Sequence, residues 1–131
     1  MKTKMIWANL VSHDLQRTIQ FYNELGFKQN GKETEELVSI SFAENNFIIN
    51  FFVPKRFEWA LKGPSADAKT ENEIIFSLSA ASREEVDQWL EKVKVAGGTI
   101  FSEPENFEAG YTFGFADPDG HKFNFLYWPG M

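Results

Sequence analysis

The sequence predicts an α+β fold of two tandem βαβββ modules, in which a mixed sheet curves around a cleft. Three observations carry this. Two amphipathic helices are capped at both ends, one in each half of the 131 residues. Eight short strand-like runs divide equally around them. Ile49-Asn50-Phe51 also returns as Phe123-Asn124-Phe125, each in the last strand-like run of its half.

Asp14 is a good N-cap, Leu15, Ile19, Tyr22 and Leu25 follow at helical spacing, and Gly26 supplies the stop. Ser82 with Glu85 three residues on is a capping box. Val86, Trp89, Leu90, Val93 and Ala96 form its apolar stripe, and Gly97-Gly98 end it. Strands are expected over 5–11, 27–29, 37–43 and 47–53 in the first module, and over 73–79, 99–101, 111–116 and 122–128 in the second. Glu44-Asn45-Asn46 and Asp117-Pro118-Asp119-Gly120 are turn sequences. The modules are thus expected at about 5–53 and 73–128 within a single domain. Residues 54–72 connect them, with Phe57, Trp59 and Leu61 in a short helical piece that packs.

Composition excludes several function classes. The chain has no cysteine, so disulfide scaffolds, thiolate metal sites and cysteine nucleophiles are ruled out. Its net charge is −6 and no basic cluster stands out, which argues against nucleic acid as a partner. The apolar runs are too short for a membrane span, and no secretory signal is recognisable. A cytoplasmic location is therefore expected. The aromatic share, 16%, fits a filled core or an aromatic-lined cleft.

Side chains alternate along a strand. Ile6, Ala8 and Leu10, Ile49, Phe51 and Val53, Ile74, Phe76 and Leu78, and Phe123, Phe125 and Tyr127 make apolar faces that must carry the helices. The opposite faces are mixed. They hold Trp7, Asn9, Asn50, Phe52, Glu73, Asn124 and Trp128, which are the expected ligand-binding residues. The same-parity neighbours of Asn50 and Asn124 are apolar, so both amides are expected in the cleft, where they need hydrogen-bond partners. Glu73 is the candidate catalytic base or the charge partner of a cation. His13 and His121 are expected in exposed loops. Asp117 and Asp119 are expected to serve turn geometry, and Glu33, Glu35, Glu36, Glu103, Glu105 and Glu108 to lie in solvated loops.

The phrase Asp14-Leu15-x-x-Thr18-x-x-Phe21-Tyr22-x-x-Leu25-Gly26-Phe27, the paired βαβββ halves and the closing Asp117-Pro118-Asp119-Gly120-His121 resemble the vicinal oxygen chelate superfamily. That group includes glyoxalase I, extradiol dioxygenases and the bleomycin and fosfomycin resistance proteins. The resemblance spans Met5 to Trp128. It implies a glyoxalase/bleomycin resistance-like fold and a homodimer, in some relatives with modules exchanged between chains. The superfamily's metal enzymes place ligands at four strand positions, which correspond here to Trp7, Asn50, Glu73 and Asn124. Only Glu73 is a strong ligand, and an indole N–H cannot ligate at all. The expectation is a metal-independent protein that uses no cofactor and binds a small organic ligand, cationic or aromatic, in the manner of the antibiotic resistance proteins. The alternative is a glyoxalase-like lyase or isomerase that uses Glu73 as base or an atypical metal site.

Overall fold

The computed structural model describes residues 1–130 and divides into two compact units between Ala66 and Asp67. The first contains β1 (Ala8–Val11), α1 (Leu15–Glu24), β2 (Lys28–Gln29), β3 (Leu37–Phe42), β4 (Phe47–Phe52) and α2 (Pro54–Leu61). The second contains β5 (Ile75–Ser79), α3 (Arg83–Ala96), β6 (Thr99–Phe107), β7 (Gly110–Ala116) and β8 (Lys122–Tyr127). Each unit has one open four-stranded sheet. The orders are β1-β4-β3-β2 and β5-β8-β7-β6, so the same topology occurs twice. In both, the first strand runs parallel to the last and the remaining pairs are antiparallel. The expected α+β fold of two βαβββ modules is present.

The helix caps form as the sequence dictates. Asp14 accepts the Arg17 N–H at 3.1 Å, and Ser82 accepts that of Glu85 at 3.1 Å. The Glu85 carboxylate reaches back to the Ala81 N–H. Gly97, at φ 90°, closes α3 in the left-handed region that a side chain would resist. In the first unit, Phe21, Tyr22 and Leu25 pack on Val38, Ile40, Ile49 and Phe51, all buried. A buried hydroxyl pair, Ser12 and Thr18 at 2.6 Å, ties the end of β1 to α1. In the second unit, Phe113, Phe115, Phe123 and Phe125 form a ring cluster under Val86, Leu90 and Val93. Phe115 stacks on Phe123 at 5.3 Å, and Trp89 stacks on Phe125 at 4.3 Å. The apolar faces of β4 and β8 thus carry the helices.

Several expectations need correction. The strands expected from Met5 and Glu73 begin at Ala8 and Ile75, because the preceding residues form no ladder bonds. The segment 102–107 is strand rather than loop. β6 is an edge strand whose alternating acids, Glu103 and Glu105, face water, and its pairing with β7 shifts register between Ile100 and Ser102 and again between Ser102 and Glu105. Pro104 lies within that second shift, where a missing N–H costs no ladder bond. α2 forms and packs on β1 as expected, with Pro54 in its first turn and no residue fully buried. Finally, His121 is buried, at 8% exposure. Asp117 and Asp119 are also buried, and one Asp117 carboxylate oxygen accepts the N–H groups of Asp119 and His121 at 3.0 and 2.9 Å. The acids serve turn geometry as expected, and the turn is a packed plug. Glu33 is partly covered as well, and the Gln29 amide donates to its carboxylate at 2.8 Å.

Candidate functional site

The face of each sheet turned away from its helix carries a row of polar groups, set by strand register. In the first module Asn9 pairs with Asn50, and Asn50 with Ser39. The Asn50 amide donates to the Asn9 side-chain oxygen at 3.2 Å, so these carboxamides satisfy one another. The next row is Val11, Phe52 and Leu37. α2 packs against β1 and sets Arg56 over the Phe52 ring, 5.5 Å from its centroid. Trp7 precedes β1 and is 50% exposed.

In the second module the matching row is Ser77, Asn124 and Gly114. The Asn124 side-chain oxygen is buried and accepts no hydrogen bond. Two aromatic rings rest on glycines of β7. A Cβ on Gly114 would stand 2.5 Å from the Phe101 ring, and one on Gly110 would stand 2.7 Å from both the Trp128 ring and the Tyr127 carbonyl. Bare backbone at these positions lets the rings lie flat on the sheet. Thr112, Gly114 and Ala116 therefore share the face of Asn124, while Phe113 and Phe115 belong to the core.

The register also settles where Glu73 stands. The residue beside Asn124 is Ser77, the counterpart of Asn9. Glu73 lies two residues ahead of β5 and is exposed, with Ile75 between it and Ser77 in the strand alternation. Asn9 and Asn50 are brought together, Asn124 sits in the equivalent row of its own module, and Trp128 lies over Gly110, further along that module's face. Sequence reasoning missed Phe101, Gly110, Gly114 and Ser77 as a set. Two glycines four residues apart in one strand were the available signal, since glycine in a strand marks a close approach. Nothing in the sequence singled out Arg56.

The paired topology, with carboxamides in matching rows, defines a duplicated βαβββ protein with amide- and aromatic-lined sheet faces. Residues 4–125 match the Glyoxalase/Bleomycin resistance protein/Dioxygenase superfamily, and the chain belongs to that family. A hypothetical protein from S. aureus is similar in structure, with a TM-score of 0.86 and 34% identity over 98% of this chain and 96% of that one. A lactoylglutathione lyase from Agrobacterium tumefaciens shares the fold at a TM-score of 0.71 and 18% identity, covering 100% of both chains. A fosfomycin resistance protein from Mesorhizobium loti shares it at 0.70 and 12% identity, covering 99% of this chain and 96% of that one. No curated protein matches the chain.

The superfamily's metal enzymes imply a divalent ion, and the donors here do not fit one. Asn9 and Asn50 spend an amide oxygen and an amide N–H on each other. Asn124 has only a serine and a glycine beside it in register. The one carboxylate expected to ligate, Glu73, stands outside the strand. Lone neutral amides hold a hard cation weakly, so no chemical step is derived through a metal.

Proposed function

We propose that this chain is a metal-independent small-molecule binding protein of the superfamily, akin in role to its antibiotic resistance members. The observation that carries the reading is the Asn124 oxygen, a buried acceptor with no hydrogen-bond partner. An unpaired buried acceptor costs about 1–3 kcal/mol, a cost that a ligand N–H or O–H would offset. Phe101 supplies a flat apolar wall beside it, over Gly114, with Trp128 further along the same face over Gly110, and the Asn9–Asn50 pair and Phe52 give the first module a comparable face. The expected cationic character of the ligand rested on Glu73 as a charge partner. With Glu73 exposed ahead of β5, the reading rests on the amide and aromatic groups, which suit an aromatic ligand carrying a hydrogen-bond donor. A cytoplasmic homodimer goes with this reading, and exposed Ile75 on the edge strand β5 supports pairing of two copies.

The test is a thermal-shift screen of aromatic amines, fosfomycin and bleomycin, followed by tryptophan quenching with any hit. The expected result is saturable binding that Asn124→Leu abolishes and a chelator leaves unchanged. Turnover that disappears under chelator would instead support the lyase alternative.

A further inference from the structure

Beyond the carboxamide rows, the first module has a second feature that the proposed binding reading does not use. α2 and its cap bring Lys55, Arg56 and Lys62 together in a chain whose net charge is −6. The Arg56 guanidinium carbon lies 4.5 Å from the Trp59 ring centroid as well as over Phe52, and the Lys62 ammonium lies 3.9 Å from the same indole. Aromatic faces attract these cations but bring no countercharge. One guanidinium nitrogen of Arg56, Nη1, is buried without a hydrogen-bond partner. Glu36, Lys55, Arg56 and Trp59 line a groove of about 320 Å³.

We infer that this groove is a binding site for a small organic monoanion, a carboxylate carried on a flat apolar body. The planar guanidinium, already held in place by two rings, offers a fork that matches the two carboxylate oxygens. Trp59, 62% exposed, gives the apolar body a surface. The size is at the lower end for small-molecule sites, which run from about 300 to 1,000 Å³. Glu36 on the same wall offsets one of the two positive charges of Lys55 and Arg56, so the lining keeps a single net positive charge, the match for a monoanion.

The probe is benzoate, with benzamide as its uncharged counterpart and inorganic phosphate as the competing anion. Benzoate is expected to move the Arg56 Nε–H and Trp59 indole N–H signals in NMR along one saturation curve, while benzamide produces none. Arg56→Gln is expected to weaken binding about tenfold or more, and Arg56→Lys, which keeps charge but loses the fork, by an intermediate factor. Lys92→Gln removes one positive charge on α3 and is expected to leave affinity unchanged. The inference is overturned if the Arg56 and Trp59 signals do not saturate, if benzamide binds equally, if phosphate binds more tightly than benzoate, or if Lys92→Gln weakens binding as much as Arg56→Gln. These signals report only on the α2 groove, so their outcome is separable from that of the Asn124 test.

Discussion

The two modules share strand order, direction and register, yet they finish their non-helical faces differently. In the first, two asparagines satisfy each other, and a short helix sets Arg56 over the end of the face. In the second, there is no partner amide, the edge strand β6 runs on to Phe107, and two rings are seated on glycines. The helix-side cores, by contrast, are both filled by buried aromatic and aliphatic side chains. Duplication has kept what the sheet needs to close against its helix and released the opposite face to diverge, as expected when function resides in sites grafted on a fold.

The largest expected effect comes from breaking the turn plug, which only the second module has. Gly120 has φ 95°, and a Cβ there would stand 2.7 Å from the Ala68 carbonyl carbon and oxygen, which are backbone and cannot swing away. Gly120→Ala is expected to lower stability by about 3 kcal/mol in denaturant unfolding, combining left-handed strain with the clash. The closing turn of the first module already holds Ala43, Glu44 and Asn45 at positive φ. Ala43→Gly is therefore expected to stabilise slightly, which sharpens the contrast.

Removing the amides separates the modules next. Asn124→Leu deletes an unsatisfied buried acceptor and is expected to raise unliganded stability by about 1 kcal/mol, because both sides of the bond were never made. Asn50→Leu breaks a made but exposed bond and is expected to cost about 0.5 kcal/mol. Equal losses from the two substitutions would contradict the difference drawn between the faces.

The smallest effect is electrostatic. The Tyr111 hydroxyl donates to Asp87 at 2.8 Å, and that hydrogen bond, reinforced by slight burial and the carboxylate charge, holds its pKa above the ordinary phenol value. A raised folded-state pKa contributes stability that is complete below the unfolded value and is lost as pH rises through the folded one. Ring-labelled NMR titration should show Tyr111 ionising at a higher pH than in the Asp87→Ala variant. The first module's Glu33 has the opposite sign. The Gln29 hydrogen bond lowers its pKa, so any contribution is present above the unfolded value and fades as pH falls through the folded one.

Much of the fold was legible because caps and alternation are local signals. Asp14, Ser82 and Gly97 act where the sequence places them. The sorting of Phe123 from Asn124 and of Ile49 from Asn50 followed from period two alone. What escaped was non-local. Glu73 was set on the face of Asn124 by strand alternation, which gives parity but not register, whereas the ladder bonds start at Ile75 and pair Ser77 with Asn124. The burial of His121 depends on a whole turn folding over it, and no single residue type announces that. β6 beyond Phe101 has no apolar alternation to detect, since an edge strand with acids on it reads as loop.

The Asn72 amide donates both to the Ala68 carbonyl and to the Gly120 carbonyl, at 3.1 and 3.0 Å. The stretch from Asp67 to Asn72 is thus a clasp on the far end of the second module rather than slack between two halves. An excised half that began at Glu73 would leave its latch behind, and the natural place to cut is after Ala66.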